Sequence, residues 1–257
     1  MNFNDIPSNR LYGDLAHLWP LVSQPEDYAK EARRWREVLQ EKLGGERQCL
    51  LELGVGGGNN MSHLTPYFDA VAVDLSEGML EHSRRLNPTV QHHVGDMRSV
   101  RLGVKFDAVI IHDAISYLQT EEDLKATFVT AAAHLRPGGV FVTSPDHVRE
   151  NYVDGAIYHS TFSDGLSQLT HVEYMFDPDP TDTTTETIMS YIIRQGDETR
   201  IELDRHTTGL FPLETWLRLI EEAGFTIETR DYPVHDDDRQ SWLLVGMKSR
   251  SVVQYSD

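Results

Sequence analysis

The sequence predicts an α/β domain in which a mostly parallel sheet is covered by helices on both faces, and three observations carry that expectation. From about residue 47 to 144, apolar runs of strand length alternate with helical patterns, the rhythm of βαβ crossovers. A glycine-rich stretch, GVGGG at 54–58, stands directly behind the first apolar run, and such sheets hold their ligands in loops outside the carboxyl ends of the strands. After Pro145 the rhythm gives way to β-rich segments joined by turn residues with no helix between them, so an antiparallel insertion is expected after the fifth strand.

Residues 26–43 set Tyr28, Ala32, Trp35, Val38, Leu39 and Leu43 at helical spacing and stop at Gly44-Gly45, a helix terminator. There follow a strand RQCLLEL, a helix near 59–67, a strand DAVAVDL, and a helix SEGMLEHSRRL capped by Ser76. VQHHVG and FDAVIIHD read as strands, EEDLKATFVTAAAHL as a helix and GGVFVTS as the fifth strand. The insertion reads as three strands, LSQLTHVEYMFDP, TTTETIMSYIIRQ and TRIELDRHTTGL. PLETWLRLIEEAGF restores a helix that stops at Gly224, and TIETRDY and SWLLVGMK complete the pattern. With no repeat or low-complexity linker, 1–257 reads as one domain: an N-terminal helical lid (1–45), a cofactor-binding core (46–148), a β-rich substrate or dimer insertion (149–210) and a C-terminal part completing the sheet (211–248).

Composition excludes several classes. With 23 Lys and Arg against 41 Asp and Glu, a net charge of -18 and no basic stripe, a nucleic-acid footprint is not expected, because phosphate binding draws on clustered cations. No run of about 18 apolar residues and no signal-peptide start occur, which leads to the expectation of a cytoplasmic protein without membrane contact. The single cysteine, Cys49, lies in an apolar strand and reads as an ordinary buried thiol. The 12 histidines show no ligand spacing, so no metal is expected.

The glycine loop admits several cofactors. Counted from Gly54, a dinucleotide fingerprint is met at Gly56 but finds Asn59 where its last glycine belongs. A phosphate loop is excluded because no Gly-Lys-Ser/Thr follows. Asp74 ends the second strand about twenty residues on, where a carboxylate can accept both hydroxyl protons of a ribose from any adenosine-containing cofactor. In VGDM, Asp96 can take an exocyclic adenine amine while Met97 lies on the ring face.

Together Glu52, the glycines, Asp74, Asp96 and LRPGGVFV resemble the ordered motifs of class I S-adenosylmethionine-dependent methyltransferases over roughly residues 46–145. The resemblance implies a Rossmann-like seven-stranded sheet with its last strand antiparallel. It implies that Gly54, Gly56 and Gly58 give the methionine part of S-adenosylmethionine room, with Glu52 beneath the loop, Asp74 and Leu75 at the ribose, and Asp96 and Met97 at adenine. His112 falls where such enzymes approach the sulfonium, and Asp113 beside it faces the substrate. S-adenosylhomocysteine would be the product.

More narrowly, LYGDLAHLW, SYL after the fourth strand, the β insertion and RHTTGLFPLETW are similar to amino-sugar N,N-dimethyltransferases and to small-amine methyltransferases of the glycine type. That likeness implies a tyrosine facing the substrate amine, matched by Tyr12, and a histidine in an S-x-G-H-L stretch, where this chain has Tyr117. The expected function is methylation of a small-molecule amine, with Tyr12, His112 and Tyr117 as catalytic candidates and Tyr12, Asp113 and Tyr117 as substrate contacts. O-methylation of a hydroxyl or carboxylate, a non-catalytic cofactor-binding protein and an NAD-dependent oxidoreductase are the alternatives, and a homodimer through the insertion is the expected partner.

Overall fold

The computed structural model describes residues 3–232 and 240–249. Three short 3-10 turns between Phe3 and Leu18 lead into a four-residue helix, α1 (Trp19–Val22), and a further 3-10 turn, Pro25–Tyr28, opens α2 (Ala29–Leu43). The expected helix at 26–43 therefore starts with a tighter turn, because Pro25 fixes its backbone and supplies no amide donor.

The alternating region then runs β1 (Gln48–Leu53), α3 (Asn59–Leu64), β2 (Phe68–Asp74), α4 (Glu77–Leu86), β3 (Gln91–Val94), β4 (Phe106–Ile111), α5 (Glu121–His134) and β5 (Leu135–Thr143). It resumes after the insertion with α6 (Leu213–Glu222), β10 (Phe225–Asp231) and β11 (Trp242–Lys248). Among the described residues these seven strands form one sheet in the order β10-β11-β5-β4-β1-β2-β3, and only β11 runs antiparallel to its neighbours. Successive β1 residues serve opposite faces. Leu50 packs with Trp35 and Leu39 of α2 and Met61 of α3, while Leu51 packs with Phe128 of α5 and Trp216 of α6. Both faces are thus covered, which is why these strands read as continuous apolar runs. Cys49 is half-buried rather than buried, since it stands near the open start of β1.

α3 is shorter than expected and ends at Leu64, because Pro66 brings no amide hydrogen with which to continue the helix. The insertion holds four strands where the sequence predicts three: β6 (Ile157–Ser163), β7 (Ser167–Phe176), β8 (Thr184–Gln195) and β9 (Glu198–Gly209) form an antiparallel meander in chain order. β6 was missed for want of an apolar run, although the Asp-Gly turn between it and β7 marks a hairpin.

The inner face of this second sheet receives the N-terminal segment. Leu11, Leu15 and Leu18 pack with Leu169, Tyr191 and Ile193 in a core of their own, so segment and insertion make one cover. At Gly209, the end of β9, a side chain would meet the Leu118 carbonyl oxygen at 2.0 Å, so the insertion lies directly on the backbone that follows β4. No helix among the described residues is long and apolar enough to cross a membrane.

Candidate active site

The parallel strands end in register, and their carboxyl ends open into a cavity of about 500 Å³ between the sheet and the cover, a size that suits a small-molecule cofactor and substrate. Tyr12, Glu52, Gly54, Gly56, Asp74, Leu75, Asp96, Met97, His112, Asp113 and Tyr117 all line it. Gly58, the remaining expected residue, does not. Its φ of 81° begins α3, and a side chain there would meet Ser83 and Asn87 at 2.4 Å, so it makes room for α4 instead of a ligand. Gly57 likewise makes room for Trp19, whose ring edge would stand 1.9 Å from a Cβ.

At the loop, Glu52 is 1% exposed. Burial pushes its carboxyl up to about 8. Asn60 donates to its Oε1, while Glu52 Oε2 and Asn60 Oδ1 are buried acceptors with no partner. Asp74 accepts from the Gly56 amide with one oxygen and from the Ser76 amide with the other, both at 2.8 Å, which aims its remaining lone pairs at the cavity. Burial raises its carboxyl and these amides counter it. Beside it Leu75 is 71% exposed, an apolar residue left open at the cavity rim. Asp96 is paired with Arg98 at 2.6 Å, which holds its carboxyl below the usual range.

His112 donates from Nε2 to Glu31 at 2.7 Å and from Nδ1 to Asp113 at 2.6 Å, inside a shell of Tyr28 and Trp35 rings. Burial alone would lower its proton affinity, but the two carboxylates outweigh it and hold the imidazole protonated. With both nitrogens occupied, it has no lone pair with which to accept a proton. Glu31, His112 and Asp113 also form a possible three-ligand cluster for a metal, a grouping that the sequence spacing does not reveal; their mutual ion pairing accounts for it. Across the cavity Tyr12 and Tyr117 are joined hydroxyl to hydroxyl at 3.0 Å, with rings edge to face.

Residues 50–139 match the family described as methyltransferase domain. The chain is 34% identical over 217 residues to the dTDP-3-amino-3,4,6-trideoxy-alpha-D-glucopyranose N,N-dimethyltransferase of Streptomyces venezuelae, covering 80% of this chain and 84% of that one. It is 30% identical over 235 residues to the dTDP-3-amino-3,6-dideoxy-alpha-D-glucopyranose N,N-dimethyltransferase of Streptomyces fradiae, covering 84% and 85%. The crystal structure of Streptomyces venezuelae DesVI superposes with a TM-score of 0.80 at 28% identity, covering 93% of this chain and 98% of that one. The chain belongs to the S-adenosylmethionine-dependent methyltransferases.

The methyltransferase carries further cavity or near-cavity groups that sequence reasoning passed over. Glu31 falls on the apolar face of α2, between Tyr28 and Trp35 at helical spacing, and a charge within such a stripe is a readable signal. Asp204 and His206 alternate onto the inward face of β9, 0% and 1% exposed. Polar residues at period two on a buried face could have been flagged in the same way. Asp146, in the loop after β5, is open to solvent with its amide on Ser116 Oγ.

Proposed function

We propose that this methyltransferase transfers methyl groups to the amine of a nucleotide-linked amino sugar, in the cytoplasm. One observation carries the reading: a single cavity is lined both by Glu52 and Asn60, whose Oε2 and Oδ1 are buried and unpaired, and by Tyr12 and Tyr117, whose hydroxyls are linked. The relatives named above act on dTDP-linked amino sugars, which supports the choice of acceptor.

The residues present fit S-adenosylmethionine. Glu52 and Asn60 would hold its ammonium, since two buried acceptors without donors need one. Gly54 and Gly56, with φ of 77° and 54°, would leave the backbone bare beside its methionine part. Asp74 would bind the ribose hydroxyls, Leu75 and Met97 would cover adenine, and Asp96, still paired with Arg98, would accept from its exocyclic amine. When bound, the cofactor supplies a methyl group on a sulfonium, a leaving group that needs no acid. What remains for the protein is to hold a neutral, desolvated amine in line. Asp113, on the cavity wall, attracts the ammonium form of the acceptor. Tyr12 and Tyr117 orient it by hydrogen bonds, and burial raises both phenols so that they stay neutral. His112, protonated between Glu31 and Asp113, is withdrawn from the proton acceptors and fixes α2 against the end of β4.

The test is transfer of a radiolabelled methyl group to a panel of dTDP-linked amino sugars, free amino sugars, glycine, phenols and carboxylates, with mass spectrometry counting the methyls. Labelling of the linked amines is expected. Labelling confined to hydroxyls or carboxylates would make this an O-methyltransferase, and labelling of nothing would leave a cofactor-binding protein.

Segment 1–45 and insertion 149–210 together form the acceptor half of one domain in this reading. The outer face of the insertion, where Ile157, Tyr174, Ile192 and Ile201 are exposed, is where a second copy would dock. Light scattering coupled to gel filtration should give a dimer that Ile192→Lys dissociates.

A further inference from the structure

A hydrogen-bonded chain runs from the cavity wall into the cover. Tyr12 Oη lies 3.0 Å from Tyr117 Oη, Tyr117 Oη lies 2.5 Å from His206 Nδ1, and His206 Nε2 lies 2.8 Å from Asp204 Oδ2. Asp204 also accepts from the amides of Arg10, Leu11 and Arg205. Burial pushes its carboxyl up, but His206 and these amides outweigh burial and hold it below the usual range. An ionised carboxylate on Nε2 fixes the imidazole with its hydrogen there and leaves Nδ1 as an acceptor. Tyr117 then donates to Nδ1 and Tyr12 donates to Tyr117, so the unshared lone pair of Tyr12 is left for the cavity.

Resting on the amine-methylation reading above, we propose that His206 is the terminal proton acceptor for the substrate ammonium, reached through Tyr12 and Tyr117 and steadied by Asp204. The substrate N–H proton passes to Tyr12 Oη as the Tyr12 hydroxyl proton moves to Tyr117 and the Tyr117 hydroxyl proton moves to His206 Nδ1. One ammonium becomes a neutral amine with its lone pair free, and one neutral imidazole becomes an imidazolium paired with Asp204. After product leaves, the proton returns along the same hydroxyls to water.

The surroundings suit this role. On β7, burial takes His171 down to about 4, so it is neutral at working pH. Glu173 is raised by burial, which keeps a competing charge small. Tyr191 on β8 stays a neutral phenol, and Arg10 is engaged by Asp14 and Glu202. The same carboxylate that orients His206 anchors Arg10 and Leu11, the residues just before Tyr12, so the N-terminal segment and the chain rest on one group.

The experiment compares His206→Gln, Tyr117→Phe and the double variant with the wild type in single-turnover methylation of dTDP-3-amino-3,4,6-trideoxyglucose from about pH 6 to 9.5. S-adenosylhomocysteine affinity and melting curves serve as folding controls. Each single variant should lose on the order of 100-fold in rate near pH 7, the deficit should shrink as rising pH deprotonates the amine unaided, and the double variant should be no slower than either single one. A deficit that is constant with pH, or losses that multiply, would overturn the relay. Independently of turnover, nitrogen NMR of the histidines should find His206 protonated on Nε2 and not on Nδ1; the reverse tautomer also overturns it. Failure of the wild type to methylate any amine in the panel overturns the functional reading and the relay with it, whereas amine methylation with wild-type rates in both variants overturns the relay alone.

Discussion

Asn60 donates to Glu52 across 3.5 Å, from Nδ2 to Oε1, and each residue keeps one buried oxygen without a partner. A carboxyl so placed is raised by burial to about 8, and the sign of its effect follows. A carboxyl that titrates higher when folded imposes no penalty at pH below the unfolded carboxylate range; stability then falls as pH climbs, until the folded value is passed. Without cofactor Glu52 should therefore cost the protein stability between about pH 5 and 8, and Glu52→Gln should make that slope shallower in thermal melts, leaving the part due to Asp74 and Glu173. Because an ammonium restores the charge of Glu52, S-adenosylhomocysteine should bind more tightly as pH rises from about 6 to 8. The variant should bind it more weakly and with a flatter profile in calorimetry.

Asp74→Asn should weaken S-adenosylhomocysteine binding by about 1–3 kcal/mol, roughly 5- to 150-fold, through loss of charge-assisted hydrogen bonds to the ribose. Adenosine, which has the ribose but not the amino-acid tail, should lose the same amount with this variant and nothing with Glu52→Gln. Equal losses for adenosine from both variants would place the ribose elsewhere.

Gly58 and Gly103 have left-handed backbones, with φ of 81° and 74°. They differ in surroundings: a Cβ at Gly58 meets Ser83 and Asn87 at 2.4 Å, and one at Gly103 meets nothing within 4 Å. Gly103→Ala should cost only the conformational penalty, on the order of 1 kcal/mol. Gly58→Ala should cost about 2–4 kcal/mol, since overpacking against α4 is added. Urea denaturation of the two variants measures the difference.

Leu169 is 0% exposed in the small core shared by the N-terminal segment and the insertion. Leu169→Ala should destabilise that core by about 2–5 kcal/mol, and KM for the amine acceptor should rise as Tyr12 loses its support. Cofactor affinity should change less than threefold, because Glu52, Asn60, Asp74 and Asp96 all lie outside that cluster. A parallel loss of both affinities would show that the cover holds the donor as well.

Much of this was legible in the sequence where local patterns and global placement agree. β1, β2 and β4 are apolar runs ending one residue after Glu52, at Asp74 and just before His112, so their carboxyl ends, and with them the cavity floor, follow from strand periodicity alone. Partnerships between residues far apart in the chain were not legible. Glu31 meets His112 across 81 positions and Tyr117 meets His206 across 89, and no spacing rule relates strands of an insertion to a loop of the core. Gly58 was misassigned for a related reason: a glycine makes room, and the sequence does not say whether a ligand or Asn87 fills it. β6 escaped because its residues are mostly exposed, which erases the alternation on which strand reading depends.

Where β9 crosses the backbone at Leu118, Gly209 leaves space for no side chain at all. The seam between the two sheets is main chain on main chain there, with the Phe211 ring beside it, and any side chain at Gly209 would force it apart. The donor half, from Glu52 to His112, and the insertion that carries His206 thus behave like the two jaws of a vice set at one gauge. Substitution within the cover that spares Gly209 leaves that contact in place while it changes the surface offered to the acceptor.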